Sequence, residues 1–285
     1  QIAFVLMNIR SMADKDSDDR SVVDLIWFPT GGGKTEAYLG LSAFTIFLRR
    51  IKREPDEGCT ILMRYTLRLL TTQQYQRAAS LICSCEVLRR EMPDVLGDKE
   101  ISIGLFVGGT TTPNTSTDAK KEFKKLYKEH GENPFVVLKC PWCGAHLGVV
   151  SANNKKELAG YHLDLRGRKE SFTYRCDNSA CDFHKRKSPL PLYIVDEDIY
   201  ENPPTLLLGT VDKFAMLPYK PEAAKLFGIN DGTRAGTPDL IIQDELHLIS
   251  GPLGSMVGLY ETLIDELVTD RSAPDRKIRA KIVAS

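Results

Sequence analysis

The stretch Phe28-Pro-Thr-Gly-Gly-Gly-Lys-Thr35 lies between an apolar run and a helical pattern, and its reading decides the fold. Upstream, Val22-Val-Asp-Leu-Ile-Trp-Phe28 is short, β-branched and aromatic, which predicts a buried strand. Downstream, Glu36 to Arg50 carries apolar residues at helical spacing and no proline. Three consecutive glycines let the backbone turn tightly and aim its N–H groups at one point, at the positive end of the following helix. A phosphate chain can sit there. In this reading Thr30, Gly31, Gly32, Gly33, Lys34 and Thr35 cradle ATP. Lys34 reaches the β- and γ-phosphates, and the Thr35 hydroxyl ligates Mg²⁺. The consensus for such a loop, G-x-x-x-x-G-K-[ST], has glycine where Phe28 stands, so the entry into the loop differs. The competing reading is a glycine-rich turn with an incidental Lys-Thr.

A second stretch, Asp239-Leu-Ile-Ile-Gln-Asp-Glu-Leu-His247, supplies the partner chemistry. Four residues of strand run directly into Asp244-Glu245, which places two carboxylates at the carboxyl edge of a parallel sheet, where ligands bind. Asp244 is expected to hold Mg²⁺ through water and Glu245 to polarise the attacking water. The bland alternative is an acidic strand end facing solvent. His247 follows two residues later and joins Lys34 and Glu245 in the expected catalytic set.

The third constellation is a cysteine set. Cys140-Pro-Trp-Cys143-Gly forms one candidate knuckle and Cys176-Asp-Asn-Ser-Ala-Cys181 the other, each beside short strand patterns. Two such pairs have the form of a Cys₄ structural Zn²⁺ site, with His146 and His184 as possible substitutes for one cysteine. Four thiolates leave no open position, so catalytic zinc is not expected. Cys59, Cys83 and Cys85 lack ligand spacing and read as small core residues.

The bulk numbers narrow the class. The chain has 285 residues, 42% of them hydrophobic, with 38 basic and 38 acidic side chains. That is an ordinary globular composition with no charge argument for any partner. The charge is uneven, however: residues 140–190 hold nine basic and five acidic side chains, whereas 191–285 hold nine and fifteen. Arg166, Arg168, Lys169, Lys185, Arg186 and Lys187 could touch a nucleic-acid backbone or simply keep a small metal module solvated. No apolar run approaches ~20 residues, so no membrane partner is expected. Seven cysteines and no secretory leader argue against a disulfide framework and for a cytoplasmic location. The opening on Gln1 and the close on a strand-like Lys281-Ile-Val-Ala-Ser285 give the expectation of a piece of something longer.

Strand patterns alternate with helical ones along most of the chain, which predicts an α/β fold with a parallel sheet covered on both faces. Strands are expected at 59–65, 101–107, 205–211, 239–243 and 278–284. The rhythm is interrupted only from Phe135 to about Pro191, where short strand patterns are broken by the cysteine pairs. The expected organisation is therefore a lobe in two parts, 1–134 and 191–285, interrupted by a zinc-binding insertion at 135–190.

Taken together these motifs resemble the first RecA-like lobe of superfamily-two DExH-box helicases, a P-loop NTPase fold. Phe28–Thr35 is similar to motif I and Asp244–His247 to motif II. Tyr65-Thr-Leu-Arg-Leu-Leu-Thr-Thr-Gln73 is loosely similar to motif Ia, and Gly108-Gly109 to motif Ib. Leu208-Gly-Thr-Val-Asp-Lys213 occupies the place of the following threonine-containing motif, and Lys281–Ser285 that of motif III. The longer strings Trp27–Tyr38, Arg64–Gln74 and Gln243–Gly254 look like the large helicases of DISARM antiphage systems. The resemblance implies an ATP-driven helicase or translocase acting on nucleic acid, DNA favoured, with a second RecA-like lobe and other defence-system subunits as partners. It also implies strand contacts at Arg64, Thr66, Arg68, Gly108, Gly109 and Thr210. Two other readings stay open: a double-stranded-DNA translocase that never separates strands, and a zinc-bearing binding module with a vestigial ATPase.

Overall fold

The computed structural model describes the chain except residues 29–31, 67–71, 129–132, 153–154, 165–170, 250 and 274–275. Helix α1 (Ile2–Ala13) leads into the short strand β1 (Asp24–Leu25), and α2 (Lys34–Ile51) follows the glycine loop. Then come β2 (Ile61–Tyr65), α3 (Thr72–Glu91), the single turn α4 (Pro93–Leu96), β3 (Ile103–Phe106) and α5 (Ser116–Lys128). Two antiparallel hairpins follow, β4 (Gly148–Ala152) with β5 (Lys155–Ala159) and β6 (Tyr161–Asp164) with β7 (Ser171–Tyr174). The α/β rhythm resumes with β8 (Leu192–Tyr193), α6 (Asp196–Glu201), β9 (Leu206–Thr210) and α7 (Val211–Phe214). A two-stranded ribbon, β10 (Ile229–Asn230) and β11 (Thr233–Arg234), precedes β12 (Leu240–Gln243) and α8 (Gly251–Val268). The small hairpin β13 (Asp270–Ala273) and β14 (Arg276–Ile278) leads to β15 (Lys281–Ala284).

Seven of these strands form one sheet in the order β1-β15-β12-β2-β9-β3-β8, every neighbouring pair parallel. The expected α/β architecture is therefore present, a RecA-like parallel sheet with helices on both faces. The central strands are buried throughout because both faces are covered. Ile61, Met63, Leu105, Leu208, Leu240 and Ile242 face one apolar layer with Tyr38, Leu41 and Ile82 of α2 and α3. Leu62, Phe106, Leu207 and Ile241 face the other, with Phe214, Phe227 and Ile264.

The first strand departs from expectation. A buried strand was expected over 22–28, yet only Asp24 and Leu25 pair, and they sit at the edge of the sheet against β15. Val22, Val23 and Leu25 are exposed and Trp27 is 88% exposed. At the edge the run lacks a neighbour on one flank; Ile26 is its buried residue, and Phe28 packs half-buried against the same core. Helix α3 is described from Thr72 and α8 from Gly251.

The amino edge of the sheet is tied by ions. Asp239, just before β12, accepts a hydrogen bond from Arg49 Nε at 2.9 Å and pairs with Arg20 at 3.3 Å. Arg49 lies near the end of α2 and Arg20 in the loop between α1 and β1; both are buried. Lys281, fully buried at the start of β15, reaches Asp24 at 2.7 Å and the carbonyls of Asp19 and Val22 at 2.6 and 2.7 Å. On the other flank Glu86 of α3 takes hydrogen bonds from Arg89, Arg90 and the Ile101 N–H at 2.7, 2.7 and 2.8 Å. Burial alone would raise its carboxyl, but those donors outweigh it and hold the group below its ordinary value.

Removing one partner of a buried ion cluster leaves charge uncompensated, which typically costs about 3–5 kcal/mol. Asp239→Asn, which takes the carboxylate from Arg20 and leaves Arg49 with Asp56 at 3.7 Å, is expected to lower unfolding free energy by up to about that range, read by urea denaturation. A loss near zero would mean that the cluster does not hold α2 to β12.

Candidate functional site: a cleft at the carboxyl edge of the sheet and a four-cysteine cluster

The amino end of α2 and the carboxyl end of β12 meet across a cleft of about 850 Å³. Gly33 is left-handed (φ +80°) and caps α2, whose first residue is Lys34. A side chain at Gly33 would also collide with Gln1, whose amide donates to the Gly32 carbonyl at 3.4 Å. Lys34 Nζ lies 3.6 Å from Glu245 Oε1, and His247 Nδ1 lies 3.3 Å from Glu245 Oε2. The three expected catalytic side chains are thus in one constellation. Thr35, Gly32 and Gly33 line the same cleft with Asp244. Thr30 and Gly31 lie outside the described residues.

Asp244 is buried and surrounded by donors. Ser285 Oγ donates to its Oδ1 at 2.6 Å, the Glu245 N–H at 3.0 Å and the Tyr38 hydroxyl at 3.4 Å. Burial, reinforced by the Asp244 charge, pushes the Tyr65 hydroxyl up, and burial likewise raises Tyr38, so both remain protonated donors. Glu245 adopts a left-handed backbone (φ +51°), an uncommon conformation for a non-glycine residue. That turn leaves Asp244 inside while Glu245 faces Lys34. Glu36 and Arg77, which also line the cleft, pair across it.

Tyr38, Tyr65 and Ser285 were not among the expected site residues. Tyr38 stands four residues beyond Lys34 on the buried face of α2, a spacing that places both on one side of the helix. Ser285 reaches Asp244 only through the parallel pairing of β15 with β12, and that register is invisible in the chain order.

The positions expected to touch a strand fare differently. Arg64 is 4% exposed and pairs with Glu261 of α8. Thr66 and Thr210 are buried at the carboxyl ends of β2 and β9. Gly109 is exposed and Gly108 half-buried in the turn after β3. Arg68 lies outside the described residues, as do Arg166, Arg168 and Lys169. Lys185 is paired with Asp177 at 2.9 Å.

The four cysteines converge. The Sγ atoms of Cys140, Cys143, Cys176 and Cys181 all lie within 4.8 Å of one another, with Cys143–Cys176 at 3.4 Å and Cys140–Cys181 at 3.9 Å. A tetrahedral zinc with Zn–S near 2.3 Å sets S···S at about 3.8 Å, so the cluster can hold a zinc ion. Gly144 (φ +76°) closes the first knuckle, and in the second the Asn178 and Phe183 N–H groups point at Cys176 and Cys181 Sγ, each at 3.4 Å. His146 and His184 turn elsewhere, to the Val149 carbonyl and the Arg186 N–H, so the set is four thiols. Burial pushes Cys140 up to about 12. Burial also opposes ionisation of Cys143, but hydrogen bonds from the Ala145 backbone and the neighbouring Cys176 and Asn178 bring it down to about 7.

This module is docked, not tethered. Phe135 stacks on Phe172 at 4.2 Å between ring centroids, and Phe123 of α5 meets both edge-on at 6.4 Å. Arg90 of α3 sits over the Phe183 ring at 4.7 Å, and Gln76 donates to the Lys139 carbonyl at 3.1 Å. Among the described residues no helix is long and apolar enough to cross a membrane.

No protein-family profile matches the chain. It is similar to the DISARM protein DrmA of Bacillus paralicheniformis, with 39% identity over 324 aligned residues covering 100% of this chain. The chain spans 28% of that relative's length.

Zinc is held by thiolates, so protons compete with it. With Cys140 raised to about 12, the metal-free cluster carries protons at neutral pH, and lowering the pH favours that form. The purified protein is expected to contain about one zinc per chain, to release it progressively on acidification, and to lose it in Cys176→Ser. Metal analysis of chelator-free preparations checks this; zinc-free protein with native stability would contradict it.

Proposed function

Along its whole length the chain is a relative of the DISARM protein DrmA, and from that premise we propose that it is the first motor lobe of an ATP-driven nucleic-acid helicase or translocase. In this reading residues 1–134 and 191–285 make the lobe, and 135–190 form a zinc-bearing insertion. The protein works in the cytoplasm, in bacterial antiphage defence, on DNA, with a second RecA-like lobe and other subunits of the system. The observation that carries the reading is the meeting of Lys34, at the head of α2, with Asp244 and Glu245, at the end of a parallel strand, in one cleft.

Each side chain has a task that follows from its place. The N–H groups at the start of α2 and the Lys34 ammonium attract the β- and γ-phosphates. The Thr35 hydroxyl and Asp244, the latter through water, would hold Mg²⁺, which neutralises charge on the phosphates. Ser285 and Tyr38 fix the Asp244 carboxylate by donating to its Oδ1. Glu245 has two neighbours, Lys34 and His247. When Lys34 turns to a phosphate, Glu245 keeps His247 as its anchor and its other oxygen is open to accept a proton from the attacking water. Charge on the transferring group needs a further cation, the task of an arginine from a second lobe.

The test is ATP turnover by the full-length protein with and without single-stranded and duplex DNA. DNA is expected to stimulate turnover, and Glu245→Gln to reduce it by about 10²-fold or more with DNA binding retained, since only the water-activating carboxylate is lost. Turnover that survives Glu245→Gln would refute the assignment. DNA-stimulated turnover without displacement of either strand of a tailed duplex would favour a translocase over a strand-separating helicase.

A further inference from the structure

The chain has two tryptophans, and they are placed differently. Trp142 is accommodated: its ring meets Phe183 edge-on at 6.2 Å and its Nε1 donates to Asp182 at 2.9 Å. Trp27 is 88% exposed and lines the cleft that holds Lys34 and Asp244. Single exposed aliphatic residues are ordinary on a protein surface. An indole nearly wholly in water is not, because it carries one of the largest apolar surfaces of any side chain.

Its direction follows from the strand it extends. Side chains alternate along an extended segment, and the preceding residue, Ile26, is buried in the core, so Trp27 is turned away from it. Its position is tied to the carboxylates. The Ile26 N–H donates to the Ala284 carbonyl at 2.8 Å, and the next residue, Ser285, donates to Asp244 Oδ1 at 2.6 Å. Trp27 thus stands one residue from a backbone bond that leads directly to the Asp244 carboxylate. The cleft wall divides by chemistry. Lys34, Thr35, Asp244 and Glu245 make one part polar and charged, whereas Trp27, Leu25 and Leu246 present exposed apolar surface.

We propose that Trp27 stacks on the base of the nucleotide whose phosphates lie at Lys34. The inference rests on the phosphate-cleft reading above and names the side chain that holds the other end of the same ligand. A bare polyphosphate would use the charged part of the cleft and leave the indole in water. A purely apolar ligand would leave Lys34 and Asp244 unused. A nucleoside triphosphate carries both kinds of surface, and the cleft, at about 850 Å³, falls within the size of small-molecule sites, about 300–1000 Å³. Every base has a π face, so stacking on an aromatic ring needs no matched hydrogen-bonding edge. Trp27 is therefore an affinity-determining residue for the base, while Lys34 serves the phosphates.

The experiment is calorimetric titration of the full-length protein, in Mg²⁺, with two probes: a non-hydrolysable ATP analogue, and inorganic tripolyphosphate, which has the phosphates and no base. Wild type is compared with Trp27→Ala and Trp27→Phe, and unfolding curves establish that all three are folded. Trp27→Ala is expected to weaken the ATP analogue about tenfold, as the loss of a base–aromatic stack does, and to leave tripolyphosphate affinity unchanged. Trp27→Phe keeps a π face and should recover much of the loss. Analogue affinity unchanged in Trp27→Ala would overturn the proposal and leave the phosphate cleft standing. An equal loss for both probes would make Trp27 a support for the loop rather than a partner of the base, and would overturn it as well. So would a Phe variant no better than the Ala variant. Wild type that binds neither probe would refute the phosphate cleft itself, and this inference with it.

Discussion

The ion cluster around Asp239 is the constraint on which the site depends. Helix α2 runs from the carboxyl edge of the sheet to its amino edge, and β12 runs the other way. Arg49 near the end of α2 and Asp239 just before β12 are joined at the amino edge. Because helix and strand are both rigid, fixing one pair of ends fixes the other pair: Lys34 is set opposite Glu245, and the head of α2 opposite Asp244. Arg20 and Lys281 extend the same lock to the loop before β1 and to β15, and β15 delivers Ser285 to Asp244. The charges are buried, so their geometry is held by more than screened surface attraction.

The carboxyl edge is arranged in the opposite sense. There the polar groups are left able to act: Glu245 is turned out in a left-handed conformation, and Asp244 is ringed by hydroxyl donors that burial keeps protonated. The cysteine module continues that edge. Its aromatic cluster packs on α5 and its knuckles on α3, so metal held by Cys140, Cys143, Cys176 and Cys181 would stiffen the module where it rests on those helices.

Much of this was legible in the chain. Gly-Gly-Gly-Lys-Thr before a helical pattern, an apolar strand running into Asp244-Glu245, and two spaced cysteine pairs each carry local chemistry, and local chemistry is what a sequence displays. The four cysteines do meet, although they are separated by up to 41 residues. What was not legible depends on register and neighbours. The apolar run at 22–28 looks buried, but whether a strand is central or at an edge is decided by its partners. The pairing of Arg64 with Glu261, 197 residues away, is likewise a contact that no local pattern displays. Ser285, Tyr38 and the Asp239 cluster escaped for the same reason, since each owes its role to a contact between distant segments.

The central claim is that the cleft between the head of α2 and the end of β12 binds the phosphates of Mg·ATP. The most direct measurement is calorimetric titration of Mg·ATP into this chain and into its Lys34→Ala variant, with unfolding curves to establish that both are folded. The account predicts saturable, Mg²⁺-dependent binding to the wild type and a loss of about tenfold or more in the variant, where the cation facing the phosphates is gone. Equal affinity in two folded proteins, or binding indifferent to Mg²⁺, would contradict it.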